Sequence, residues 1–263
     1  MKKTILLSYI AVGLINSASA ALVAEWKLNG NANDTSGNGY HGVVHGSATF
    51  VLGGLSITGN ASEYYQGGGY VSLPSLTGAF DNNVTLNIWA KGEVTPVFSS
   101  EKYFAFGDFW GAKNTLWMGI AGNDINVGYN DTGNNYQQIS INKSADFYNN
   151  WHMITLTMTP TTLSGYLNGS LFGSVNGSFV SPDTSYLNAI GSHYWWGGIG
   201  QSARLTATLS EASIYNNALS SSDVSALYAT QSQNFGSIPE PSSYALLAAG
   251  AIGMLTTRRR KTT

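Results

Sequence analysis

The sequence contains no cysteine and only a small share of charged residues. Its 263 residues include no Cys, and Asp, Glu, Lys and Arg together make up 10%. Without cysteine the chain can form no disulfide bond, and it offers no thiolate for nucleophilic chemistry or for binding a metal. Neither of its terminal apolar runs reaches the roughly 20 residues that a membrane-spanning helix needs. These absences exclude a disulfide-stapled scaffold and thiolate catalysis.

The few charges are distributed unevenly along the chain. Basic residues cluster at both ends, whereas residues 21–237 hold 13 acidic and 6 basic side chains, a net charge of −7. A segment with this charge repels a phosphate backbone, so nucleic-acid binding is not expected. The four histidines are scattered and form no cluster with carboxylates, so a zinc-assisted reaction also lacks its ligands.

Glycine, asparagine, serine and threonine are abundant, which is typical of short strands joined by turns. The clearest strand signal is the alternation of Ile154, Leu156 and Met158 with threonines, a period of two that buries one face. Asn168-Gly169 supplies the two positive-φ residues of a tight hairpin turn. Further strands are predicted at 22–28, 70–73, 84–88, 116–120, 125–129, 163–167 and 170–174. The pattern predicts one all-β domain.

One short helix is predicted near the end of this domain. Ser220 is suited to the N-cap, and Asp223 at the third helical position completes a capping box. Leu219 and Val224 can pack together across the cap as a hydrophobic staple. The polar, aperiodic residues 231–237 then predict a linker.

The N-terminus resembles a secretory leader. Lys2 and Lys3 precede the apolar run 5–15, and Ala18-Ser19-Ala20 provides small residues before a predicted cleavage site at Ala21. The alternative, a retained membrane anchor, would need a longer apolar run. Residues 1–20 are therefore predicted to be a signal peptide, and the domain is predicted to fold outside the cytoplasm.

The C-terminus carries a second short apolar run. Residues 244–255 number 12, about 18 Å of helix at 1.5 Å per residue, and the run is predicted to be a transmembrane helix at about 244–257. Arg258, Arg259 and Arg260 follow as a stop-transfer cluster, which the positive-inside rule places in the cytoplasm. The large domain is then predicted to lie on the other side of the membrane.

The motif Pro239, Glu240, Pro241, followed by the apolar run and the arginines, resembles the PEP-CTERM sorting signal of Gram-negative bacteria that make exopolysaccharide. The resemblance covers residues 238–263. It implies recognition by an exosortase, a membrane cysteine protease, with cleavage near the motif and release to the cell surface or the matrix. The alternative is an ordinary C-terminal anchor that contains prolines by chance.

The body of the chain, residues 21–230, resembles the laminin-G-like domain of the concanavalin A-like superfamily. The blocks that carry the likeness are 28–34, 36–39, 41–42, 70–71, 73–74, 86–91, 151–166, 168–169, 214–216, 218–220 and 227–228. The resemblance implies a two-sheet antiparallel jelly-roll sandwich that binds carbohydrate or protein. Its partners would be exopolysaccharide or surface proteins.

The oxygen-rich loop 29–39 is a candidate calcium site. Asp34 is its anionic residue, and Asn31, Ser36 and Asn38 offer further oxygen atoms. Relatives usually place a Gly-x-Ile-Asp sequence before the strand at 214–216, where this chain has Glu211, so Glu211 is the candidate that replaces this Asp as a ligand. The alternative is a loop closed by its own hydrogen bonds, as in an Asx turn.

One group of aromatic residues is a candidate for contact with a ligand. Tyr194, Trp195 and Trp196 form one group, and Trp110 is a possible neighbour, because exposed aromatic rings pack against the apolar faces of sugars. The alternative is that these rings pack inside the protein, since large aromatic residues are mostly buried. Trp26, Trp89, Trp117 and Trp151 lie in strand-like sequence and are assigned to the core.

The carboxylates of the domain do not follow the pattern of a glycosidase. Endoglucanases with this fold carry two Glu and an Asp at alternating positions on one strand, and retaining hydrolysis needs two carboxyl groups about 5 Å apart. None of the glutamates has a carboxylate two or four residues away on such a strand; they are Glu25, Glu63, Glu93, Glu101 and Glu211. We therefore predict a non-catalytic binding protein, with a polysaccharide hydrolase or lyase and a purely structural matrix protein as the alternatives.

Overall fold

The computed structural model describes residues 20–58, 68–92, 101–107, 114–144, 147–148, 150–185, 188–195, 198–199 and 205–235. Of residues 194, 195, 198 and 199 it describes the backbone alone. Residues 1–19 of the predicted signal peptide, Trp110, Trp196 and the sorting motif lie outside the described residues.

The described chain is built from short strands and one helix. The strands, in chain order, are β1 (Leu22–Trp26), β2 (Val43–His45), β3 (Thr49–Val51), β4 (Gly54–Ile57), β5 (Tyr70–Leu73), β6 (Val84–Gly92), β7 (Glu101–Phe106), β8 (Thr115–Ala121), β9 (Asp124–Asn130), β10 (Tyr136–Asn142), β11 (His152–Met158), β12 (Thr162–Leu167), β13 (Ser170–Asn176), β14 (Asn188–Ile190), β15 (Tyr194–Trp195), β16 (Gly198–Ile199) and β17 (Ala207–Tyr215). The helix α1 (Ser221–Gln231) follows, and a 3-10 turn (Ser232–Asn234) comes after it.

These strands form two antiparallel sheets that pack face to face. The eight-stranded sheet has the order β13-β12-β11-β6-β17-β4-β3, and β1 also pairs with β17. The seven-stranded sheet has the order β10-β9-β8-β7-β14-β5-β2, and β15 and β16 form a separate hairpin. One continuous apolar core fills the space between the sheets. The predicted all-β sandwich is confirmed.

The alternation of apolar residues and threonines along β11 fixes its pairing with β6 in the centre of the sheet. Ile154 lies opposite Ile88 and Leu156 opposite Leu86 on β6, and all four side chains are buried in the core. Their threonine neighbours point to the other face, as a period of two requires. The Asn168-Gly169 turn has φ values of 51° and 78°, so the predicted hairpin between β12 and β13 is confirmed.

Strand β17 lies in the interior of the eight-stranded sheet and has partners on both sides. One side pairs with β6 along its length. On the other side its first three residues pair with β4 and its last residues pair with β1. Between these two partners the strand bulges, and Glu211 has a φ of +43° there. Such a bulge redirects the strand and turns a side chain to a new direction.

Helix α1 packs on the outer face of the eight-stranded sheet. Its N-cap is Ser220, and the capping box with Asp223 is present as predicted. The Trp89 ring lies 5.7 Å from the Tyr228 ring and 4.2 Å from the Phe235 ring, with both pairs stacked. Gln231 Oε1 accepts hydrogen bonds from Trp89 Nε1 at 2.7 Å and from Asn87 Nδ2 at 3.1 Å.

The folded domain therefore continues to Phe235 instead of ending at residue 230. The polar sequence 231–237 suggested a linker, but Gln231 is buried because its amide satisfies two donors of β6. Of the residues that the structure describes, no helical stretch has the length and hydrophobicity needed to cross a bilayer. The predicted transmembrane run 244–257 lies outside them.

Candidate functional site

The N-terminal loop is organised around the carboxylate of Asp34. Its Oδ1 accepts the backbone N–H of Glu25 at 3.0 Å and of Ser36 at 2.8 Å. Its Oδ2 accepts the backbone N–H of Tyr40 at 3.0 Å and the hydroxyl of Ser36 at 2.9 Å. Burial raises the pKa of the Asp34 carboxyl, but these hydrogen bonds outweigh burial and the net pKa is lowered.

The other predicted loop ligands serve the loop itself. The side-chain oxygen of Asn31 accepts the backbone N–H of Asn33, which is an Asx turn. The Asn38 amide donates to the carbonyl of Val23 at 2.9 Å and so holds the loop against β1. Only Ser36 among the predicted ligands contacts the Asp34 carboxylate in these hydrogen bonds.

Glu211 lies at the bulge of β17, near a lysine that it shares with Glu25. Lys27 Nζ is 2.9 Å from Glu25 Oε1 and 3.8 Å from Glu211 Oε1, and the same Glu211 oxygen accepts the amide of Asn234 at 2.8 Å. Burial raises the pKa of Glu211, and the charge of Lys27 opposes the rise. Burial lowers the pKa of Lys27, but the bond to Glu25 and the charge of Glu211 outweigh this, so the net pKa of Lys27 is raised.

These contacts do not fit a metal ion. Each oxygen of Asp34 already accepts two hydrogen bonds, and an ammonium group occupies the position between Glu25 and Glu211. Within the described ranges no group of three or more His, Asp or Glu side chains is placed to hold a metal. The geometry therefore favours the alternative of a self-bonded loop over a calcium site.

A second group of polar and aromatic residues lies on the outer face of the seven-stranded sheet. Leu116 and Met118 point into the core, so Trp117 between them points outward. Its ring lies over Gly128 of β9, where an added Cβ would come within 2.3 Å of the ring. Gly128 therefore allows the indole to lie flat on the sheet.

Tyr136 stacks on this tryptophan and is half exposed to solvent. The two rings are stacked with centroids 5.7 Å apart, and Tyr136 is 52% exposed. Its hydroxyl donates to Gln138 Oε1 at 2.7 Å, and Gln138 Nε2 donates to Ser140 Oγ at 2.8 Å. Partial burial raises the pKa of Tyr136 to about 12. The outward side chains of β10 form a row with an aromatic ring at one end, which we call the β10 row (Tyr136, Gln138 and Ser140).

A buried lysine on the neighbouring strand β7 also contacts the Trp117 indole. Lys102 Nζ is 3.7 Å from the centroid of the Trp117 ring, a distance typical of a cation–π contact. Burial lowers the pKa of Lys102 to about 7, and the charge of Glu101 opposes this shift. Burial and the charge of Lys102 also lower the pKa of His193 to about 3, so His193 is neutral at pH 7.

The predicted aromatic residues are only partly placed by the structure. The backbone of Tyr194 and Trp195 forms β15, which starts directly after His193 and pairs with β16. The side chains of Tyr194 and Trp195 and all of Trp110 and Trp196 lie outside the described part of the chain. The β10 row was missed from the sequence. The sequence pattern that indicates it is the alternation of polar residues with Ile139 and Ile141, which is typical of a strand with one solvent-exposed face.

The tryptophans assigned to the core have three different positions. Trp26 lies between the two sheets. Trp89 and the half-buried Trp151 pack with the helix on the outer face of the eight-stranded sheet. Trp117 is buried as well, but on the outer face of the seven-stranded sheet, because its neighbours Leu116 and Met118 fill the core.

Each of the described glutamates lies near a lysine. Glu25 and Glu211 flank one lysine, and Glu101 is buried beside Lys102 in the other sheet. Glu63 and Glu93 lie outside the described residues.

Two family models match the chain. Residues 65–225 match the concanavalin A-like lectin/glucanases superfamily, in its laminin G branch. Residues 237–261 match the PEP-CTERM protein-sorting motif, which implies export. A comparison with curated protein sequences finds no match.

Solved structures share the fold at low sequence identity. The receptor-binding domain of a botulinum neurotoxin C/D mosaic serotype has a TM-score of 0.61 and 18% identity, over 80% of this chain and 51% of that one. The binding domain of botulinum neurotoxin DC in complex with rat synaptotagmin II has a TM-score of 0.62, 14% identity and the same coverage. The present chain thus spans about half the length of these neurotoxin domains.

Another similar structure matches along nearly its whole length. Domain 4 of an extracellular arabinanase from Geobacillus stearothermophilus, in complex with arabinotriose, has a TM-score of 0.59 and 16% identity. The match covers 80% of this chain and 98% of that domain. At these identities the likeness shows the fold alone. The family model covers more than half of the chain, and the two-sheet sandwich agrees with it. The chain therefore belongs to the concanavalin A-like lectin/glucanase superfamily.

Proposed function

We propose that this protein is an exported, non-catalytic carbohydrate-binding protein that acts at the cell surface or in the extracellular matrix. Its sorting motif is processed by an exosortase-type protease, and the apolar run 244–257 holds it in the inner membrane until then. The domain lies on the periplasmic side during this stage. Its partner is a polysaccharide of the surface or matrix.

The observation that carries the proposal is the Tyr136–Trp117 stack beside the β10 row. A sugar ring has an apolar face that packs on an aromatic ring, and hydroxyls around its rim that need hydrogen-bond partners. Tyr136 is half exposed and fixed in place by Trp117 below it. Gln138 and Ser140 continue the row along the strand with exposed amide and hydroxyl groups.

The relatives are consistent with this interpretation. One similar domain is described in complex with arabinotriose, a carbohydrate, and another in complex with a protein, synaptotagmin II. Glu25 and Glu211 are both engaged with the ammonium group of Lys27. A binding role therefore agrees with both the fold and the available side chains.

The test is retention of the purified protein on a panel of insoluble polysaccharides, with assay of new reducing ends. We expect retention on at least one polysaccharide without product release. Tyr136→Ala should weaken retention roughly fivefold, because an aromatic stack contributes about 1 kcal/mol. Leu171→Ala is the matched control, since Leu171 is equally exposed, at 52%, but lies on the eight-stranded sheet.

Other outcomes separate the alternatives. Reproducible release of reducing ends would favour a hydrolase. Retention that Tyr136→Ala leaves unchanged would place the binding surface elsewhere, with the β15–β16 region as the next candidate. Self-association without retention on any polysaccharide would favour a structural matrix protein.

A further inference from the structure

The polypeptide leaves the folded domain from one defined face. Phe235 is stacked on Trp89 at 4.2 Å and also contacts Trp151, whose ring centroid is 4.8 Å away. Both tryptophans belong to the outer cluster that α1 covers on the eight-stranded sheet. The sorting motif begins two residues later, at 237. The tail therefore starts from this outer face.

The connection between this face and the apolar run is short. Residues 236–243 separate Phe235 from the run that begins at Tyr244. Eight residues span at most about 29 Å when fully extended. A domain of this size has a radius of gyration of about 17 Å and is roughly 40 Å across. While the run is inserted in the membrane, the tether is shorter than the domain is wide, so the exit face is kept close to the bilayer.

The same face presents the most exposed apolar side chain among the described residues. Leu52, at the turn between β3 and β4, is 83% exposed, and the adjacent Val51 is 41% exposed. Phe50 packs on the core, so Val51 points to the outer face. We call Val51 and Leu52 the β3–β4 tip.

The β3–β4 tip lies beside the chain exit. Leu55 of β4 lies opposite Leu209 of β17, and the two strands are antiparallel. The turn that precedes β4 therefore lies next to the residues that follow Leu209, where β17 bulges. At that bulge Glu211 accepts the amide of Asn234, the residue before Phe235. On the other flank of the helix, Leu171 lies opposite Tyr166 and adds a further exposed apolar side chain.

The charges around the tip do not oppose contact with a bilayer. Lys27 and Lys91 balance Glu25 and Glu211 on the strands next to the tip, although residues 21–237 carry a net charge of −7. Bacterial membranes contain anionic lipids, which repel an acidic surface more strongly than a neutral one. The neighbourhood of the tip is thus a favourable part of the domain for such contact.

We propose that the anchored protein rests the outer face of its eight-stranded sheet on the membrane, with the β3–β4 tip in the lipid head-group region. This inference rests on the transient anchoring included in the proposed function. Two apolar side chains bind a bilayer weakly by themselves. The tether supplies an effective concentration on the order of millimolar, which makes a weak contact sufficient. The opposite sheet, with Tyr136 and Trp117, then points away from the membrane toward the surrounding glycan.

The absence of cysteine makes this orientation measurable. Leu52→Cys and Val43→Cys each introduce a single thiol for the same environment-sensitive fluorophore. Val43 is the matched control because it is 58% exposed and lies on β2 at the edge of the other sheet. The full chain is reconstituted through its own tail into vesicles of phosphatidylethanolamine and phosphatidylglycerol, with and without lipids that carry a shallow quencher.

We expect the emission of the probe at 52 to shift to shorter wavelength and to lose intensity with the quencher lipid, and the probe at 43 to do neither. Equal behaviour of the two probes on a chain that cosediments with the vesicles would overturn the orientation. A chain that fails to cosediment would instead contradict the anchoring on which the orientation rests. Retention on polysaccharide is measured on the same labelled proteins. Retention with an unquenched probe at 52 refutes the orientation alone, whereas quenching without retention supports the orientation and refutes glycan binding.

Discussion

Asp34 is a buried carboxylate that holds a long loop by accepting four hydrogen bonds. Three of the donors are the backbone N–H groups of Glu25 in β1, of Ser36 and of Tyr40. In a loop so rich in glycine and asparagine, few apolar contacts are available to fix the chain. Asp34 therefore makes more hydrogen bonds within the loop than Asn31 or Asn38 does.

We expect Asp34→Asn to lower the free energy of unfolding by about 1–3 kcal/mol, because an amide nitrogen replaces an acceptor and leaves a buried donor unsatisfied. Urea denaturation at pH 7 measures the change. Asp131→Asn is the control. Asp131 accepts similar bonds from Gly133 and Asn135 but lies in an exposed turn, so a smaller change is expected. Equal losses in the two variants would contradict the role of Asp34.

The stabilisation by Asp34 depends on pH in a defined direction. Its pKa in the folded state is lower than in the unfolded chain, so the ionised carboxylate stabilises the fold at pH values above the ordinary carboxyl pKa. This contribution is lost as the pH falls through the lowered folded pKa. The difference in unfolding free energy between the wild type and Asp34→Asn should therefore shrink in acid.

Among the elements, the end of α1 depends on a buried polar contact as well as on apolar packing. Gln231 Oε1 is the shared acceptor for Trp89 Nε1 and Asn87 Nδ2, and the Asn87 side-chain oxygen accepts the hydroxyl of Thr155 at 2.7 Å. This chain of hydrogen bonds connects the helix to two central strands. It holds Phe235 and the start of the tail in place on the sheet.

Gln231→Leu should lower the free energy of unfolding by about 2–4 kcal/mol, because it leaves two buried donors without an acceptor. Gln233→Leu is the matched control, since Gln233 is exposed two residues later in the 3-10 turn. We expect it to change stability by less than about 0.5 kcal/mol. Chemical denaturation of both variants gives the comparison, and similar effects would show that the Gln231 network adds nothing to stability.

At the level of elements, the sequence predicts what depends on local periodicity and turn chemistry. The alternation in β11, the Asn168-Gly169 turn and the capping box at Ser220 each follow from neighbouring residues, and all three are present. The packing of Gln231 was not predictable in this way, because its partners on β6 lie more than 140 residues away in sequence.

In the candidate site, too, some features follow from neighbouring residues and others depend on distant parts of the chain. The polar row on β10 was visible as an alternating pattern, but its meaning depends on Trp117 of β8, which only the sheet order places beneath Tyr136. Likewise, the loop at Asp34 contains the oxygens of a calcium site. Whether they face a cation or N–H donors is decided by the fold around them, and here they face donors.

The whole molecule has two different outer faces. The outer face of the eight-stranded sheet carries α1, the chain exit and the β3–β4 tip, whereas the outer face of the seven-stranded sheet carries the β10 row. The first strand, β1, pairs with the last, β17, so the sandwich closes only when both ends of the domain are present. Stability is consequently a property of the complete domain.

Calcium binding can be tested on the whole molecule, because an ion that binds only the folded state raises the melting temperature by linkage. We expect saturating calcium to leave the melting temperature unchanged relative to magnesium, since a cation would have to displace four donors from Asp34 and the ammonium of Lys27 from Glu211. Scanning calorimetry in calcium, magnesium and chelator measures this. A rise specific to calcium, abolished by Asp34→Asn, would show that the loop rearranges to bind the ion.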